Sequence, residues 1–97
     1  MRILLVEDDA VLREVMLRSL MDAGHRVDVA ATVDEADHLW HVQPFDAVLL
    51  DLNLPVTAAQ AGAAGHTMGS GLTALRSARA RGDRTPVLVL TARDRTE

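Results

Sequence analysis

With 97 residues the chain is sized for a single domain, and 48% hydrophobic residues give it the means to build a core, while six glycines and three prolines are too few for a disordered chain. The absence of cysteine excludes disulfides, thiolate chemistry and zinc–cysteine sites. A formal charge of −4, one phenylalanine, one tryptophan and no tyrosine leave neither a basic surface nor a stacking platform for nucleic acid.

The chain opens MRILLVEDD. Its apolar run is too short for a signal peptide or a membrane span, so a cytoplasmic protein with no membrane contact is expected. Ile3 to Val6 is continuously aliphatic, the pattern of a parallel strand buried on both faces. After Glu7, Asp8 and Asp9, the residues Leu12, Val15, Met16 and Leu20 recur at helical spacing, with Asp9 placed to cap and Gly24 to terminate. Val27 and Val29 alternate with Asp28 as a short second strand. Thr32 followed by Glu35 is a capping-box signature for a helix that Pro44 ends. Ala47 to Leu50 is a second aliphatic strand, closed by Asp51. The segment Val56 to Ser70 is rich in alanine and glycine and nearly devoid of large apolar residues. From Gly71 a helical pattern returns, with Leu72 and Leu75 on one face and Ala78 below them. Gly82 to Pro86 form a turn, and Val87 to Leu90 are a further buried-strand run, followed by Thr91 and Ala92.

The order β-α-β-α-β-α-β predicts an open α/β parallel sheet with helices on both faces. In such sheets, ligands bind at the carboxyl ends of the strands. The first strand ends in Glu7 and Asp8, the third in Asp51 and the fourth in Thr91; the second ends in Ala30 and Ala31, which bring no chemistry. Three carboxylates and a hydroxyl therefore share one rim if strands one, three and four are neighbours. Clustered carboxylates raise one another's pKa, and a hard divalent cation such as magnesium relieves the repulsion. Beside such an ion, Asp51 is a candidate nucleophile toward phosphorus, forming an aspartyl phosphate, and Thr91 can donate to a phosphoryl oxygen. The plainer reading is that acids at strand ends cap helices or face water. Spacing alone does not separate the two.

The stretches ILLVEDD (3–9), DAVLLDLNLP (46–55), GL (71–72) and PVLVLTARD (86–94), in this order, resemble the receiver domain of a two-component response regulator of the OmpR/PhoB type, a CheY-like or flavodoxin-like fold. The resemblance implies a phosphoryl-accepting domain in a phosphorelay. Asp51 matches the phosphoacceptor, and a sensor histidine kinase is the donor. Glu7, Asp8 and Asp51, with the backbone carbonyl of Asn53, match the magnesium ligands. Thr91 matches the switch hydroxyl, and Ala92 the small residue that leaves room for the phosphoryl group.

Two departures stand out. Residues 56–70 occupy a place where the family has a short link, so they read as an insertion in a partial receiver domain spanning 1–97. The chain also stops after the fourth strand. It lacks the family's fifth strand, whose lysine pairs with the phosphoryl group, and carries no lysine at all. An uncovered aliphatic strand Val87–Leu90 predicts a homodimer or higher oligomer, with exchanged elements as one route. The fragment is not expected to bind nucleic acid, although its parent would do so through a further domain. The competing function is a signalling-impaired fragment that acts only as a self-associating structural or interaction module. A phosphohydrolase ranks lowest, because no second catalytic carboxylate stands out beside the nucleophile.

Overall fold

The computed structural model describes residues 1–52 and 71–90. These form strands β1 (Arg2–Val6), β2 (Arg26–Ala30), β3 (Ala47–Asp51) and β4 (Val87–Leu90), and helices α1 (Ala10–Asp22), α2 (Val33–Val42) and α3 (Gly71–Ala80). The sheet is fully parallel, in the order β2-β1-β3-β4. The alternating β/α order seen in the sequence is therefore the order of the fold, and β1, β3 and β4 are neighbours. Residues 56–70, read above as an insertion, lie outside the described residues.

Register brings the strand ends level. Val6 pairs with Ala30 on one side and Leu50 on the other, and Asp51 pairs with Leu90. Side chains alternate along each strand. Leu4 and Val6 of β1 point into a core shared with Ala30, Val48 and Leu50 of the sheet, with Val33, Ala36 and Trp40 of α2, and with Ala74 and Ala78 of α3. Ile3 and Leu5, also buried, face the other way, toward α1.

Local chemistry fixes the helix ends. The Asp9 carboxylate accepts from the N–H groups of Val11 and Leu12, capping α1. The chain leaves α1 through Gly24 at φ +93, a conformation that side chains with a Cβ resist. Thr32 accepts from the Glu35 N–H, as the capping box predicts, but Glu35 reaches back to the N–H of Ala31 rather than that of Thr32. Gln43, ahead of Pro44, is extended (φ −135, ψ 145) and stops α2.

Burial along the elements departs from the hydrophobic pattern in three places. The apolar spacing of α1 does not produce a buried stripe: no residue of this helix is fully buried, with Leu12 40% and Val15 56% exposed. In α3 the deepest residues are the small Gly71, Ala74 and Ala78, while Leu75 is only partly buried against the core. Alanine at the contact lets the helix lie close to the sheet. Finally, β4 has the composition of a strand buried on both faces but, as expected of an uncovered strand, lies at the edge of the described sheet with Leu88 61% exposed. An aliphatic run records what a strand tolerates on its faces, whereas burial depends on which helices cover it.

Candidate functional site

Glu7 and Asp8 follow the last residue of β1, and Asp51 is the last residue of β3. Because β1 and β3 are adjacent and in register to Val6 and Leu50, the three acids meet at the carboxyl rim of the sheet. One carboxylate oxygen from each lies within 4.8 Å of the others. Glu7 and Asp51 are buried, at 3% and 6% exposure, while Asp8 faces solvent. The site therefore has a closed floor and an open side.

The loop that carries the acidic pair is bound from several directions. The N–H of Glu7 donates to the carbonyl of Ala30 at 2.9 Å, extending the pairing with β2 by one residue. The N–H of Asp9 donates to Glu7 Oε2 at 3.1 Å, which aims the Glu7 side chain back across the turn. From the second turn of α1, Arg13 Nη1 donates to the carbonyl of Glu7 at 3.0 Å.

Behind Asp51, the first residue of α3 comes very close. A Cβ on Gly71 would sit 2.5 Å from the Asp51 carbonyl oxygen and 2.8 Å from Leu52 Cα, and the Gly71 N–H donates to the Leu52 carbonyl at 3.2 Å. Only glycine lets the helix start there and hold the end of β3 from behind. Sequence reasoning had Gly71 as part of a matching dipeptide and gave it no role. The signal was a glycine at the first position of a helical pattern, although glycine is a poor helix former. Arg13 was missed altogether.

The electrostatics follow from this crowding. Burial, above all, pushes the Glu7 carboxyl up to about 7; a side-chain hydrogen bond with Asp51 and the charges of Asp51 and Asp8 push the same way, against the N–H of Asp9. Glu7 thus holds a proton at pH values where an ordinary carboxylate has lost it. Among the described residues the donor set is three carboxylates, and Asp8 faces solvent. Those are the requirements of magnesium, which keeps several of its waters and takes few protein ligands. The residues present fit such an ion. Three other residues named from the sequence, Asn53, Thr91 and Ala92, lie outside the described residues.

Comparison with known proteins follows the same line. The family model described as the response regulator receiver domain matches residues 3–97. The virulence transcriptional regulatory protein PhoP of Salmonella typhimurium is 38% identical over 94 residues, covering 97% of this chain and 37% of that protein. The chain thus spans a little over a third of the length of the curated relatives it matches. Among solved structures, the non-phosphorylated HemR receiver domain from Leptospira biflexa is 36% identical with a TM-score of 0.73, covering 94% of this chain and 64% of that one. The receiver domain of a sensor histidine kinase from Pseudomonas aeruginosa PAO1 is 33% identical with a TM-score of 0.74, covering 94% and 66%. The latter has a magnesium ion coordinated in its active site cleft.

Proposed function

The chain belongs to the response regulator receiver domain family, and from that premise we propose that it accepts a phosphoryl group on Asp51 from the phosphohistidine of a sensor histidine kinase. One observation carries this reading: Asp51 ends β3 with a carboxylate oxygen within 4.8 Å of one from Glu7 and one from Asp8, close enough to share an ion, on the ligand-binding side of the fold.

Each residue has a separable task. An Asp51 carboxylate oxygen forms the bond to phosphorus while the donor's P–N bond breaks and its electron pair returns to the imidazole. Glu7, Asp8 and Asp51, with the backbone carbonyl of Asn53, would hold a magnesium ion. When bound, the ion supplies positive charge beside the phosphoryl oxygens. Thr91 donates to one phosphoryl oxygen, and Ala92 leaves the space it needs. Gly71 keeps the backbone of Asp51 where the attack requires it.

The test is labelling by acetyl phosphate, a small donor that needs no kinase. Wild-type protein is expected to incorporate phosphoryl groups only with magnesium, and Asp51→Asn is expected to lose all incorporation while remaining folded by circular dichroism. Unchanged labelling in Asp51→Asn would refute the assignment.

A second reading has its own support. The exposed Leu88 and Val89 of β4 favour a chain that self-associates, as a homodimer or higher oligomer, and acts as an interaction module with impaired signalling. A folded, self-associated protein whose Asp51 never labels would favour it over phosphotransfer. For the longer parent, the transcription-regulator names of the curated relatives support control of gene expression through a DNA-binding region beyond this one. A cytoplasmic location accords with that reading; among the described residues no helix is long and apolar enough to cross a membrane.

A further inference from the structure

We infer that Arg13 is a positioning residue for the acidic pair, acting on the backbone of Glu7 and Asp8; this rests on the reading of the rim as a magnesium-dependent phosphoacceptor site. Arg13 donates to the carbonyls of three consecutive residues. Its main-chain N–H meets the Asp9 carbonyl at 2.8 Å, the first hydrogen bond of α1. Its side-chain Nη1 meets the Glu7 carbonyl at 3.0 Å and reaches the Asp8 carbonyl at 3.5 Å, the long limit for such a bond. These are the three residues between the end of β1 and the start of α1.

The geometry has a physical consequence. The registers of β1 with β2 and β3 end at Val6, and only the Glu7 N–H adds a further bond, to the Ala30 carbonyl. The Glu7 and Asp8 carbonyls lie beyond the ladder, where a turn has freedom to rotate. A rotated peptide here would swing the carboxylates apart. A guanidinium is planar, permanently charged and able to offer several N–H groups from one rigid head, and its hydrogen bonds to carbonyls are charge-assisted. Arg13 therefore fixes the orientation of the peptide units from which Glu7 and Asp8 project. The metal ligands of a site depend on such outer partners for their geometry, and loss of one typically weakens metal binding by about 10- to 100-fold.

Charge by itself argues in the opposite direction. A guanidinium beside a cation site repels the cation. If Arg13 acted only through its field, removing it would tighten magnesium binding. If it acts as a clamp, removing it loosens binding despite the lost repulsion. The sign of the effect separates the two accounts.

The experiment compares wild type, Arg13→Met and Arg13→Lys in the full chain. Methionine keeps an apolar stem without charge or donors. Lysine keeps the charge on a shorter reach. Magnesium affinity is measured by titration calorimetry, and protection of the Asp9 amide, which bonds to Glu7 Oε2, by hydrogen exchange without added metal. Arg13→Met is expected to bind magnesium about tenfold more weakly and to exchange the Asp9 amide faster. In acetyl phosphate labelling, the magnesium concentration for half-maximal rate should rise, while the rate at saturating magnesium is largely kept. Arg13→Lys should fall between the two proteins in affinity. Equal or tighter magnesium binding by Arg13→Met, with Asp9 protection unchanged, overturns the inference. If Arg13→Met does not fold, Arg13→Lys decides: wild-type affinity overturns the clamp, weakened affinity supports it. Failure of the wild type itself to take up magnesium at millimolar concentration refutes the phosphoacceptor reading, an outcome distinct from any difference between variant and wild type.

Discussion

Asp51 brings a carboxylate to the end of an aliphatic strand, and its neighbours decide what that carboxylate can do. Alone it would be a solvated strand end. With Glu7 buried beside it and Asp8 at the solvent side, it becomes part of an oxygen cage. Glu7 sets the pH dependence. With its carboxyl raised to about 7, mainly by burial, the folded protein binds a proton that the unfolded chain releases at the ordinary carboxylate pKa. Its contribution to stability is therefore full at low pH and is lost as pH climbs through the usual carboxylate range to about 7. Magnesium competes with that proton. Calorimetric magnesium affinity should rise with pH and flatten above about 7, with a slope approaching about tenfold per pH unit below it. Glu7→Gln should flatten the profile at every pH, since it removes the titrating group. The acids themselves were legible in the sequence as residues at strand ends. Their convergence did not follow from spacing, because it depends on β1 and β3 being neighbours across the interposed α1, β2 and α2; it was implied only by the resemblance to receiver domains, and the structure brings the three together.

At the level of elements, the helix starts and stops were well marked by capping chemistry, a local matter. Asp9 and Thr32 both accept from the N–H groups their positions suggest. The faces of the helices were read less well. The helical spacing put Leu72 and Leu75 on one face of α3 with Ala78 below them, while the deepest contact is made by Gly71, Ala74 and Ala78, with Leu75 partly buried beside them. Close approach needs small side chains, and a hydrophobicity pattern gives them little weight. The run of arginines around the end of α3 is used locally: Arg79 donates to the carbonyls of Asp83 and Thr85, and Arg81 meets Ser77 and Asp37. Gly71 shows most directly how α3 bears on the site. Gly71→Ala should destabilise the protein by about 1–3 kcal/mol, the usual range for overpacking. The added Cβ would meet backbone rather than a side chain that can swing away. Urea unfolding measures this loss, and acetyl phosphate labelling should fall with it, because α3 must shift away from the Asp51 carbonyl. A Gly71→Ala protein of wild-type stability would show that α3 relocates freely.

Across the described residues, the parallel order β2-β1-β3-β4 brings all four strand ends to one rim, with the acids on β1 and β3, and leaves β4 at the edge of the described sheet. Alternation puts Leu49 and Leu88 on the α1 side of the sheet, but α1 packs on β1 and β2. The half of that face over β3 and β4 shows the most exposed large hydrophobic side chain of the described sheet, Leu88. An apolar edge strand pairs readily with another chain unless charge or a covering element intervenes. Light scattering should give a mass above that of the monomer. Leu88→Lys should shift the distribution toward monomer while changing the stability of the domain by no more than about 0.5 kcal/mol, as for other exposed positions. A strictly monomeric wild type at working concentration would remove the support for self-association.

The amino-acid sequence by itself determined the alternation of strands and helices, their capped ends and the identity of the acids, because each of these depends on residues close in the chain: a run of aliphatics, a carboxylate beside free N–H groups, a proline after the last turn. Only the tertiary structure decided which strands lie side by side, how deeply Glu7 is buried, why α3 must begin with glycine, and that Arg13 binds the loop of the acidic pair. Those features arise from contacts between segments far apart in sequence or from the path of a turn, and no local pattern of hydrophobicity or charge encodes them.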